Sequence, residues 1–176
     1  MVPHLVQEMH EILLKSMKEK PQDYILIPLR NIHPDPNKDP EGGHSRKIDN
    51  LSQLIRRLKE EFPEYKIKTV APHLLSNYYE QGRLFYHAKL IITPHSASES
   101  NLIWTRKGTK IIEGKNVQFN ILIVQWDQFA AIQFYCLSRI LDMEWGTVLS
   151  KSNYQLKTEI PIEDIILMAK KLLKKK

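Results

Sequence analysis

The stretch RLFYHAKLIIT, residues 83–93, decides how the rest of the chain is read. Its apolar, β-branched and aromatic content predicts a strand. Side chains alternate along a strand, so His87, Lys89, Ile91 and Thr93 would face one way and Tyr86, Ala88, Leu90 and Ile92 the other. An unpaired ammonium is expensive to bury. The face carrying His87 and Lys89 is therefore expected to end at a polar cleft or an anion.

Outward from that strand, secondary structure follows from periodicity. Residues 3–19 predict an amphipathic helix with Leu5, Met9, Ile12, Leu13 and Met17 on its inner stripe. DYILIPLR, 23–30, predicts a strand, and the Pro-, Asp- and Gly-rich run 31–47 a long loop shaping substrate access. IDNLSQLIRRLKEE, 48–61, predicts a helix ended before Pro63. YKIKTVAP predicts a short strand, HLLSNYYEQ a loop or helical turn, and KNVQFNILIVQ, 115–125, a buried strand. Helices are expected over 127–143 and 161–174, with a polar stretch between them. Helices alternating with strands that are apolar on both faces imply one domain, 1–176, of α/β class, with a mixed sheet flanked by helices on both faces.

The chain has 176 residues, a formal charge of +6 and 42% hydrophobic residues. That is enough for a cored domain and too apolar for disorder. The charge favours an acidic partner, nucleic acid first and a membrane surface second; within nucleic acid, DNA is expected ahead of RNA. The one cysteine, Cys136, excludes an internal disulfide framework and a cysteine zinc site. The N-terminus mixes charge through its apolar positions, and no apolar run is long enough for a bilayer. A cytoplasmic protein without membrane attachment is expected.

After His87-x-Lys89 comes a turn of small and hydroxyl residues, TPHSASESN, ending at Asn101. Asn116 then precedes the hydrophobic segment of the next predicted strand. Over residues 48–125 this order resembles the phospholipase D superfamily, which carries H-x-K, an Asp after four more residues, a G-S-x-N turn and often N-x-E. On matching positions His87 and Lys89 are the H-x-K and Asn101 the turn Asn, while Asn116 and Gln118 stand for N-x-E. The chain departs from the pattern at Pro94, in the Asp position, at Ser98 and Glu99, in place of Gly-Ser, and at Gln118, in place of the acid. Glu99 and Glu113 are the carboxylates available to substitute.

The resemblance implies an α/β/α sandwich and a metal-independent phosphodiesterase or nuclease without cofactor. His87 would attack phosphorus to form a phosphohistidine. Lys89 and Asn101 would stabilise phosphoryl charge, and Gln118 would orient the imidazole. His95, Ser98, Ser100, Arg83 and Asn116 would contact the substrate. With one H-x-K per chain, the site would be shared across a homodimer. The rival expectation is a degenerate dimer that binds DNA or RNA without cleaving it.

Overall fold

The computed structural model describes residues 2–29, 47–94, 97–116, 133–152 and 157–174. Helix α1 (Pro3–Ser16) leads to strand β1 (Tyr24–Pro28), a short strand β2 (Lys47–Ile48), helix α2 (Leu51–Glu61) and strand β3 (Ile67–Val70). A 3-10 turn, Pro72–Leu74, precedes helix α3 (Tyr78–Tyr86) and strand β4 (Ala88–Pro94). A 3-10 segment, Ala97–Trp104, returns the chain to strand β5 (Lys110–Asn116). Helix α4 is described over residues 133–140. Strands β6 (Glu144–Ser152) and β7 (Lys157–Glu159) and helix α5 (Ile162–Leu173) complete the order.

The sheet runs β2-β7-β6-β5-β4-β1-β3. From β3 through β1, β4 and β5 to β6 every pairing is parallel, and β7 alone runs antiparallel to β6. Parallel strands are stable where helices cover both faces, and two cores show that cover. On one face Ile25, Ile27, Leu90, Ile92 and Ile112 meet Leu54 and Leu58 of α2 and Ile165, Ile166 and Ala169 of α5. On the other, Leu26, Ile91 and Ile111 meet Leu84 and Phe85 of α3, Leu102–Trp104 of the 3-10 segment, and Leu137 near the end of α4. The chain is of α/β class, with helices on both sheet faces, as its pattern predicts.

Several boundaries differ from expectation. Residues 78–86 are helical, so the decisive stretch begins as the end of α3 and becomes a strand only at Ala88. Asn77 starts α3: its Oδ1 accepts a hydrogen bond from the Glu80 amide at 2.9 Å, satisfying one of the free N–H groups of the first turn. Gly82, within α3, lets the indole of Trp104 lie against the helix backbone, where a Cβ would meet Trp104 Cδ2 at 2.4 Å. The expected polar stretch after residue 143 is instead β6, paired with β5 over seven positions. The predicted 115–125 strand overlaps β5 only at its start. The rest of it, the loop over 31–46 and residues 127–132 lie outside the described residues. On α1, Leu5, Met9 and Ile12 are exposed by 54%, 50% and 67%, while His10 is buried and its Nδ1 donates to the Ile103 carbonyl at 2.7 Å. Of the predicted stripe, Leu13 and, just past the helix, Met17 are packed, and Val6 and His10 take the inner positions in place of Leu5, Met9 and Ile12.

Candidate functional site

His87 is the residue that caps α3, between the helix and β4, and only 4% of it is exposed. Its Nε2 lies 3.2 Å from Glu19 Oε2. The same carboxylate accepts from Arg83 Nη2, with Oε1 at 2.6 Å. Arg83 holds the Glu19 carboxyl below its ordinary value. Burial pulls the His87 imidazole below its ordinary value, against the opposing pull of Glu19, with Lys68 and Arg83 adding to the lowering. His87 is thus held neutral, its Nε2–H donating to the carboxylate and Nδ1 left as an acceptor.

Around His87 is an open hollow of about 600 Å³ that runs along β3 to the amino ends of β1 and β4. Lys66, Lys68, Arg83 and Tyr24 contribute to its walls. Lys68 Nζ sits 4.1 Å from the centre of the Tyr24 ring and donates to Gln22 Oε1 at 3.3 Å. The Tyr24 hydroxyl donates to the Leu84 carbonyl at 2.5 Å, tying β1 to α3.

Of the residues singled out in the sequence, His87 and Arg83 line this hollow; Lys89 and Asn101 do not. Tyr24 pairs with Ala88 and the next β1 residue, Ile25, with Leu90, so the ladder passes over Lys89 as an extra residue, as at a β-bulge. His87 lies in a turn and Lys89 at that irregularity, so they are not alternate residues on one strand face. Asn101 is buried in the 3-10 segment beyond the other end of β4. A seven-residue strand spans roughly 20 Å, which separates His87 from the start of that segment. Ser100 is exposed, Ser98 belongs to the same segment, and Asn116 ends β5. His95 and Gln118 lie outside the described residues.

The opposite edge of the sheet carries a second polar group. Residues 91 and 111 belong to the core beneath the 3-10 segment, so Thr93 and Glu113, two positions on, face the same way. The two are register partners in β4 and β5, exposed by 1% and 0%. Glu99 and Asn101 of the 3-10 segment are buried as well, at 1% and 5% exposure. Thr93 is the last residue but one of β4 and Glu113 the middle residue of β5, while Glu99 and Asn101 follow β4 in the chain. Beside this set, β1 lies between β3 and β4, with α2, which precedes β3, on one sheet face and the 3-10 segment, which follows β4, on the other, and open α/β sheets bind ligands at such a switch point. Among the described residues, no group of three or more His, Cys, Asp or Glu is placed to hold a metal ion. No described helix is long and apolar enough to cross a membrane.

Sequence reading named Glu99 and Glu113 only as substitutes for a missing acid, and it missed Glu19, Lys66 and Lys68. The alternation in YKIKTV was the available signal for the two lysines, since residues two apart share a strand face.

Sheet, helical layers and carboxyl-edge crevice define an α/β protein of the open, parallel-sheet class. Within that class the chain belongs to the glycosyltransferase 61 family, whose model matches residues 1–112. No curated protein matches the chain. The family match overturns the phospholipase D resemblance. With it go the hydrolase, phosphodiesterase and metal-independent nuclease or endonuclease activity, the phosphohistidine, and the alternative of a degenerate DNA- or RNA-binding dimer. The physical reason is local: an aromatic-rich helix end, FYHAK, reads as strand, and the H-x-K spacing then suggests a shared face that the fold does not provide.

Proposed function

We propose that the chain takes part in glycosyl transfer, moving a sugar from an activated donor to an acceptor hydroxyl. The family match over residues 1–112 carries this reading. The crevice at the carboxyl ends of β1 and β4 is the donor site, because β1 lies between β3 and β4 with covering elements on opposite sheet faces, a switch point of an open α/β sheet.

Transfer of this kind needs a base for the acceptor hydroxyl and polar groups around a sugar that gains positive character as its bond to the leaving group breaks. Among the described residues Glu113 of β5 and Glu99 of the 3-10 segment are buried carboxylates, and Asn101, two residues after Glu99, supplies a buried amide. Glu113 is assigned as the base or as the carboxylate that stabilises the developing charge. Asn101 and Thr93 position sugar hydroxyls.

The test is transfer from a panel of nucleoside-diphosphate sugars to sugar acceptors, with wild type beside Glu113→Gln and Glu99→Gln. Transfer by wild type, and its loss of at least roughly a hundredfold in Glu113→Gln with the fold retained, supports the assignment. Full activity in both variants removes the carboxyl edge from the chemistry. A wild type that neither transfers from nor binds any donor in the panel counts against glycosyl transfer itself.

A further inference from the structure

The hollow runs along β3 to the amino ends of β1 and β4, and its lining carries three cations, Lys66, Lys68 and Arg83, against the one carboxylate of Glu80. Lys66 and Lys68 approach from β3 and the residue before it, and Arg83 approaches from α3. The nearby carboxylates are engaged: Glu19 by Arg83 and His87, and Glu80 by the Ser76 hydroxyl at 2.8 Å. No carboxylate of the described residues forms an ion pair with Lys66 or Lys68. Burial, Lys66 and Arg83 together pull the Lys68 ammonium below its ordinary value. Two further polar atoms of the walls, His87 Nδ1 and Arg83 Nε, are buried without a hydrogen-bond partner among the described residues. The walls thus offer cationic donors and, at His87 Nδ1, an acceptor that no described group fills.

We propose that this hollow binds a hydrogen phosphate group, free or carried on a small sugar. Its oxygens accept from the Lys66 and Lys68 ammonium groups and from Arg83 Nε, and its O–H, or a neighbouring sugar hydroxyl, donates to His87 Nδ1. Sulfate offers the same charge without the O–H donor. Val70, Leu75 and Leu84 give the hollow apolar walls against which a sugar ring packs, and its volume falls in the range of small-molecule pockets. The proposal does not rest on glycosyl transfer, and its test contains no nucleoside-diphosphate sugar.

The experiment is titration of the whole chain with inorganic phosphate, inorganic sulfate, glucose 6-phosphate and glucose. It is followed by isothermal calorimetry and by the ¹⁵N resonances of the His87 ring. Phosphate is expected to bind and shift the His87 Nδ1 resonance, with sulfate weaker. Lys68→Gln is expected to weaken phosphate binding by roughly tenfold or more, the scale of one charged hydrogen bond. Lys66→Gln, at an exposed position, repeats the test if Lys68→Gln fails to fold. Tighter binding of glucose 6-phosphate than of phosphate, with glucose alone inert, identifies a sugar phosphate as the ligand. The reverse order identifies the free ion, and either supports the site. Equal binding of sulfate and phosphate, unchanged binding in both lysine variants, or no shift at His87 overturns it.

Discussion

The Glu19 carboxylate reaches His87 Nε2 at 3.2 Å across the junction between the end of α1 and the start of β4. This pairing fixes the imidazole's tautomer, yet burial outweighs it and keeps the ring neutral. The two effects oppose each other, so the sign of any pH response depends on which is larger.

Because burial wins, the folded-state pKa of His87 lies below its unfolded value, and the unfolded chain binds the extra proton first. The stability this group contributes is present above an unfolded pKa of about 6.5 and is lost as pH falls through the lower folded value. Melting temperature followed from pH 8 downward is expected to decline below about 6.5 in wild type. In His87→Gln the decline over that interval should be shallower. An identical profile in the two proteins would mean that His87 is not held neutral.

Gly82 and Gly146 make a matched pair of substitutions to alanine. At Gly82 the new Cβ meets three atoms of the Trp104 indole at 2.4, 2.6 and 2.7 Å. That ring is 3% exposed, with Tyr78 and Tyr79 edge-on to it, and has nowhere to go. Gly82→Ala is expected to destabilise by about 1–3 kcal/mol through overpacking, more than alanine returns in helix propensity. At Gly146 the new Cβ meets Met168 Sδ at 2.8 Å and Cγ at 2.9 Å, the flexible end of a side chain that can turn aside. Urea unfolding should therefore rank Gly82→Ala as clearly the worse.

Asn50 joins the start of α2 to the approach of α5. Its Nδ2 donates to the Ile160 carbonyl at 2.7 Å, and the Ile160 amide donates back to its Oδ1 at 3.1 Å. Asn50→Asp keeps the acceptor but turns a carboxylate oxygen toward a carbonyl. Both Asn50→Asp and Asn50→Ala are expected to lower unfolding free energy by about 1–3 kcal/mol, measured in denaturant. Asn50→Asp should recover part of the loss at acid pH, where its carboxyl is protonated and can donate.

Tyr24→Phe removes the hydroxyl that bonds the Leu84 carbonyl and leaves the ring in place. The expected loss is about 1 kcal/mol, with greater hydrogen exchange in α3 than in α2.

How far the sequence carried depended on whether local pattern and tertiary packing agreed. The 48–61 segment holds its apolar residues at helical spacing, and Leu54 and Leu58 are buried in α2 as expected. The 161–174 segment behaves likewise in α5. The α3 region conflicted: Phe85 and Tyr86 favour strands, Gly82 weakens a helix, and the Trp104 contact that makes that glycine useful comes from far along the chain. Asn77 followed by Glu80 was the local sign of a helix start that outranks them. Strand β6 was hidden for another reason. Trp145 and Thr147 share a face with the exposed Leu149, and Gly146 sits on the buried face, so polar and apolar positions do not alternate cleanly. The candidate site was legible only in pieces: Glu99 and Asn101 are neighbours in sequence, but Thr93 and Glu113 are far apart, and it takes the parallel pairing of β4 with β5 to set those two side by side.

The family match ends at residue 112, the third residue of β5, which continues to Asn116 and pairs with β6 throughout. Similarity therefore stops in the middle of a ladder, where the protein has no seam. A fragment cut at that boundary would expose the open side of β4 and lose α5, which covers one face of the sheet. Such an edge invites pairing with another chain, so the fragment is expected to aggregate. Recognisable ancestry and the unit that folds have different limits in this chain.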